Sequence, residues 1–247
     1  MHEALNHAKL AMLFRKEFEL CNVRKGETVV LLSDLGARRD YVAAAFAAAE
    51  EFGADAYEMC VNAMPSWTKV GVETVGRCKG TLEAIKSADM LVCLHIPLFT
   101  RWLKEAREAG TRVLMVIDGP DELETLMAPP GLKEAVGYAG ERLQRTKTMR
   151  ITRAGGTDLT VKLGEYPTMI QYGYAETPGR FDHWGAGDPL PAAISRRQGA
   201  DFPQQRPRPR GASALAGQGQ AQGAPRHLEG GGGVTAIVKA PIRPHAV

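Results

Sequence analysis

The first 150 residues alternate between two apolar periods, short β-branched runs and longer segments of helical spacing. Leu5, Ala8, Leu10, Leu13, Phe14 and Phe18 recur at helical intervals, which predicts an amphipathic opening helix over residues 4–21. Glu27–Ser33 (ETVVLLS) has the run length and composition of a buried strand. Residues 34–53 follow as a helix rich in alanine, with Gly53 suited to cap its carboxyl end. Asp55–Val61 predicts a second strand, 80–88 a short helix, and 89–96 (DMLVCLHI) a third strand. Residues 99–109 predict a helix that stops at Gly110, then a strand over 111–117 and a helix opened by Pro120. Strand–helix alternation of this kind folds as α/β, a parallel sheet with helices on both faces.

From residue 148 the texture changes. Residues 149–153 and 158–163 flank a Gly-Gly turn and alternate in polarity, so the α/β unit is expected to run into a β-hairpin segment. Residues 168–174 predict one further strand. After Trp184 the patterning stops: residues 185–247 hold 11 Gly, 8 Pro, 12 Ala and 7 Arg, with Phe202 as the one aromatic. Such a stretch buries too little apolar surface to offset its ordering entropy, so a disordered low-complexity tail is expected. A genetic reading also fits. Gly, Ala, Pro and Arg are encoded by codons beginning with two G or C bases, so a G+C-rich gene read out of frame from near residue 185 gives this composition. Within the tail, residues 227–238 retain a strand–turn–strand pattern. The chain thus divides into an α/β portion, 1–184, and a tail, 185–247.

That division explains the net charge of +3. Residues 1–184 hold 23 basic and 25 acidic side chains, and residues 185–247 hold 8 and 3. The basic excess belongs to the tail, where Arg206, Arg208 and Arg210 lack interleaved aromatics, so no nucleic-acid partner is expected. No run approaches 18 apolar residues, and the charged N-terminus lacks a signal-peptide core, so no membrane partner is expected. Cys21, Cys60, Cys78 and Cys93 are irregularly spaced without a CxxC pair. They suggest neither zinc nor disulfides, and fit a cytoplasmic location.

Candidate chemistry lies in two places. Leu35-Gly36-Ala37 after the first strand lacks nucleotide-binding spacing, and no P-loop occurs. His95, in Leu94-His95-Ile96-Pro97, ends the third predicted strand, and the carboxyl ends of strands form the ligand crevice of an open α/β sheet. There an imidazole can bind substrate or move a proton, or can simply be a hydrogen-bonded strand-end histidine. The second place is Tyr172-Gly-Tyr-Ala-Glu-Thr-Pro-Gly-Arg-Phe-Asp-His-Trp184, which gathers aromatic and ionisable side chains about a Pro-Gly turn. It reads either as a ligand-lining loop with His183 as general base or as a packing loop. Neighbours point apart in extended chain, so Asp182 is not expected to orient His183 directly.

Gly164-Glu165-Tyr166-Pro167 and Gln171–Trp184, ending in PGRFDHW, closely resemble the 2,5-dihydroxypyridine 5,6-dioxygenases. The Ala154–Thr160 hairpin is shared more loosely with related thermophilic metallo-aminopeptidases. The resemblance covers residues 5–184 and includes Leu94-His95 and Gly110–Leu114. It implies a non-haem Fe(II) enzyme that opens a small aromatic N-heterocycle with O2, giving N-formylmaleamate in nicotinate breakdown, and homo-oligomeric at full length. It further implies that Leu94 and His95 line the substrate pocket and that His183 is the acid/base or hydrogen-bonding residue. Gln171 matches a position where the family can carry Glu; it keeps the hydrogen-bonding shape without the charge.

The family's iron ligands, two His and a carboxylate, lie past the PGRFDHW loop, where this chain departs from the family. His227 and His245 match no ligand motif, so no metal ligand is assigned and the chain is expected to be catalytically incomplete. Two other readings stand beside the dioxygenase: a metallo-aminopeptidase relative that hydrolyses peptides, and an inactive truncated fragment.

Overall fold

The computed structural model describes residues 7–62, 73, 75–78, 80–152, 156, 158–163, 168–190 and 235–239. They fall into two compact units, the first formed by residues 1–141 and 169–190, the second by 142–168 and 191–247. The disordered-tail expectation rests mostly on residues outside those described.

In the first unit the elements run α1 (His7–Leu20), β1 (Thr28–Asp34), α2 (Arg39–Phe52), β2 (Asp55–Val61), α3 (Thr81–Lys86), β3 (Met90–Cys93), α4 (Arg101–Glu108) and β4 (Arg112–Met115). After these come α5 (Pro120–Leu123) and α6 (Leu132–Gln144), the latter crossing into the second unit. The expected elements are present within a few residues of their predicted ends, and Gly53 caps α2 at φ 67 in the left-handed region. Helix α6 has no counterpart in the sequence expectations.

Five parallel strands form the sheet in the order β2-β1-β3-β4-β8, with β8 at Phe181–His183. Side-chain alternation sorts the strands onto two cores. Val29, Leu31, Met90, Val92, Leu114 and Trp184 pack with α1 and α2 on one face. Val30, Leu32, Leu91, Cys93, Met115 and Phe181 pack with Ile85 and Trp102 of α3 and α4 on the other. Helices therefore cover both faces, as the alternation requires.

The segment read as a loop ends in a strand. Residues 172–180 are irregular, but β8 pairs with β4, Met115 opposite His183. Upstream, β7 (Met169–Gln171) is shorter than the predicted strand and pairs antiparallel with β9 (Asp188–Leu190), which lies past the expected boundary at residue 184.

The second unit holds the expected hairpin, β5 (Thr148–Thr152) against β6 (Asp158–Lys162), with β10 (Thr235–Lys239) on the other edge of β5. Strand β10 coincides with part of the strand–turn–strand pattern in the tail. Among the described residues, no helix is long and apolar enough to cross a membrane.

One core position breaks the apolar pattern. The buried stripe of α1, Leu10, Leu13, Phe14 and Phe18, includes Glu17, which is fully buried. Its Oε1 accepts from the Cys21 thiol at 3.9 Å, while Oε2 has no hydrogen-bond partner among the described residues. Burial, and then the charge of Asp182, push the Glu17 carboxyl well above the usual range. The folded chain therefore keeps this proton to higher pH than the unfolded chain, whose Glu titrates near about 4.3. Glu17 thus contributes stability at low pH that is lost as pH rises through its folded pKa. Glu17→Gln is expected to raise the urea midpoint by an amount that grows from pH 5 to pH 8. A difference that stays constant with pH would contradict this assignment.

Candidate functional site

The chain leaves β1 for β2 on one side and returns to β3 on the other, so strand order reverses between β1 and β3. Crevices outside the carboxyl ends of strands at such a reversal are where open α/β sheets bind ligands. A cavity of about 310 Å³ occurs there, lined by Asp34, Gly36, Ala37, Leu94, His95, Ile96 and Ile117. These residues follow or end β1, β3 and β4. Asp34 shapes the first loop, its Oδ1 accepting from Gly36 N at 2.9 Å and its carbonyl from Ala37 N at 3.0 Å. Leu35, Phe99 and Ile117 are exposed apolar side chains in the loops at the carboxyl ends of these strands. Phe99 holds a positive φ of 61, uncommon for a bulky residue.

His95 is buried, and desolvation draws its pKa below the ordinary value while the charge of Asp34 pulls the other way. A neutral imidazole carries one hydrogen-bond donor and one acceptor. NMR titration of His95 is expected to give a midpoint below about 6.5. Asp34→Asn is expected to lower it further, since the opposing charge is removed.

His183 stands in a row across four strands, Leu32 beside Cys93, Cys93 beside Met115, and Met115 beside His183. Its Nε2 lies 2.7 Å from Asp118 Oδ2, in the loop after β4, and both side chains are about one-quarter exposed. The Tyr41 hydroxyl donates to the Asp118 carbonyl at 2.6 Å. Asp118 was missed in the sequence, although it lies just past a predicted strand's carboxyl end, where site residues collect.

The rest of PGRFDHW is architectural. A Cβ at Gly179 would lie 2.6 Å from the Arg107 carbonyl oxygen, at φ +71, so only glycine fits beside the end of α4. Arg107 Nε donates back to the Gly179 carbonyl at 2.9 Å. Arg180 donates to Asp182 and to the Ile170 carbonyl, each at 2.6 Å, and stacks 3.9 Å from the Tyr172 ring centre. Phe181 and Trp184 enter the two cores, and the Trp184 indole donates to the Leu123 carbonyl at 3.2 Å. Tyr172 donates to Glu176 at 2.7 Å, and Glu176 also pairs with Lys133.

Asp182 joins these parts. Its carboxylate is fully buried and accepts from Tyr172 N, Gly173 N and His183 N as well as Arg180. Burial pushes its pKa up against the pull of those donors. It holds the His183 backbone, while the His183 ring goes to Asp118. Asp182→Ala would leave Arg180 and three amides short of an acceptor. The expected loss is about 3–5 kcal/mol in urea unfolding, and a loss under about 1 kcal/mol would contradict it.

The expected site residues thus separate. Leu94 and His95 share the cavity; His183 joins Asp118, next to the cavity residue Ile117; Gln171 is buried on β7, outside the cavity lining. Among the described residues, no three His, Cys, Asp or Glu side chains form a metal-binding group.

Fold and site define an open parallel α/β protein with a cavity and a His–Asp pair at the strands' carboxyl ends. Residues 9–197 match the family NicX, 2,5-dihydroxypyridine 5,6-dioxygenase, and the chain belongs to that family. The 2,5-dihydroxypyridine 5,6-dioxygenase of Pseudomonas putida KT2440 is 27% identical over 191 residues, covering 74% of this chain and 55% of the relative. A solved structure of 2,5-dihydroxypyridine dioxygenase from the same strain superposes with a TM-score of 0.66 at 26% identity, again over 74% of this chain and 55% of that one. Wild-type AmpT from Thermus thermophilus superposes at a TM-score of 0.43 and 15% identity, over 70% and 58%. The chain therefore spans about half the length of the curated relative it matches.

Proposed function

We propose that this chain is the substrate-orienting portion of a dioxygenase that opens the ring of 2,5-dihydroxypyridine. The observation that carries the reading is the cavity holding Leu94 and His95 at the reversal of strand order, within a stretch that matches the dioxygenase family. A cavity of about 310 Å³ accepts one planar pyridine ring. Leu94, Ile96 and Ile117 would cover its faces, and neutral His95 would hydrogen-bond a ring oxygen. His183 would take the proton of a ring hydroxyl, raising the electron density of the ring.

The reaction so read breaks the C5–C6 bond, places both atoms of O2 in N-formylmaleamate and releases a proton. Ferrous iron would supply the site where O2 and an electron-rich ring meet. The described residues do not form a ligand set for it. The reading assigns the ligands to the part of the relatives' length that this chain does not match. It also makes the full-length enzyme a homo-oligomer acting in the cytoplasm on a nicotinate-derived ring.

Ligand binding is the direct test. Titration of the chain with 2,5-dihydroxypyridine under nitrogen is expected to show saturable binding. His95→Ala is expected to weaken it at least about tenfold, the loss of about 1.4 kcal/mol. Absence of saturable binding, or binding that His95→Ala leaves unchanged, would overturn the reading.

A further inference from the structure

We infer that Asp118 is a positioning residue that fixes the tautomer of His183 and makes Nδ1 the nitrogen that takes the proton. The proton-transfer half of this inference rests on the dioxygenase reading; the tautomer half does not.

An ionised carboxylate accepts hydrogen bonds and donates none. With Asp118 Oδ2 at 2.7 Å, Nε2 of a neutral His183 must carry the hydrogen. That leaves the lone pair on Nδ1, which has no hydrogen-bond partner among the described residues. Both ends of the pair are held. The His183 amide donates to Asp182 Oδ1 at 2.9 Å, and Trp184 N donates to the Met115 carbonyl at 3.0 Å, so the strand that carries the ring is fixed. Asp118 is held by the Tyr41 hydroxyl on its carbonyl, with Gly119 N bonded to Glu122 Oε2 at 3.1 Å beyond it.

Asp118 is thus fixed by α2, and His183 by β8 and its neighbour β4. When a ring hydroxyl approaches Nδ1, its O–H bond breaks and an Nδ1–H bond forms. The imidazolium keeps its Nε2–H bond to Asp118, whose negative charge balances the new positive one. The ligand is left as an oxyanion, and no electron is transferred.

Two measurements separate the parts. In the full chain with ¹⁵N-labelled histidine, His183 is identified by the signals lost in His183→Asn. It is expected to be a single Nε2–H tautomer with unprotonated Nδ1 at alkaline pH. Asp118→Ala is expected to give exchanging tautomers. Wild-type His183 with its hydrogen on Nδ1 would overturn the assignment without reference to any ligand.

The second measurement uses 2,5-dihydroxypyridine under nitrogen. The wild-type chain is expected to shift the absorbance of the bound ring to longer wavelength, the signature of an ionised hydroxyl. Asp118→Asn, which keeps the shape of the side chain, is expected to bind with less than about threefold change in affinity, under about 0.7 kcal/mol, and to lose the shift. Binding without a shift in the wild type, or a shift that persists in Asp118→Asn, would overturn the role of Asp118. Failure of the ligand to bind would instead overturn the dioxygenase reading.

Discussion

A single buried carboxylate governs how this site is assembled. Asp182 lies in the interior with no solvent to satisfy it, so it is tolerable there only if donors surround it. The fold supplies two amides from the turn at Tyr172 and Gly173, one from His183 and the guanidinium of Arg180. Those same bonds fix the irregular stretch 172–180 against the last strand. Because neighbours on a strand point to opposite sides, anchoring Asp182 on the inner side sends the His183 ring the other way, to Asp118. Asp182 leaves the ring itself to Asp118 and holds the histidine through its backbone.

A few polar groups also enter the apolar core beneath. Glu17 is buried close enough to Asp182 for their charges to interact, and the Cys21 thiol, just past the end of α1, accepts from Ala175 N at 3.3 Å. At the opposite ends of the strands, buried Arg112 donates to the Cys21 and Asn22 carbonyls and pairs with Glu27. Helix α1 is thereby tied at its carboxyl end to β4, where a cation suits the helix dipole. Apolar burial on both faces accounts for the sheet, whereas these few polar bonds fix where the helix and the loop sit upon it.

The strands and helices of the first 120 residues were legible in the sequence because each carries its own period and its own boundary signal, such as the Gly53 stop of α2 and the Pro120 start of α5. His95 was legible as a strand-end residue, and the family was legible in PGRFDHW. Three features were not. β8 has three residues and no local strand signature; it is a strand because β4 offers it an open edge. Glu17 sits at core spacing, but a charged residue type argued against burial. Asp118 lies 65 residues before His183, and only the parallel pairing of β4 with β8 brings them together. Local pattern reaches periodicity and turns; pairing across distant segments belongs to the tertiary fold.

That pairing also has a consequence for the order in which the molecule is made. β1 through β4 are contiguous enough to close as the chain emerges from the ribosome, each strand docking beside one already synthesised. β8 is synthesised much later, and its addition closes the long loop from Met115 to His183 at an entropic cost. The histidine is therefore delivered onto a sheet whose crevice is already walled by β1, β3 and β4. A nascent chain can present the His95 cavity before it can present the His183 proton acceptor.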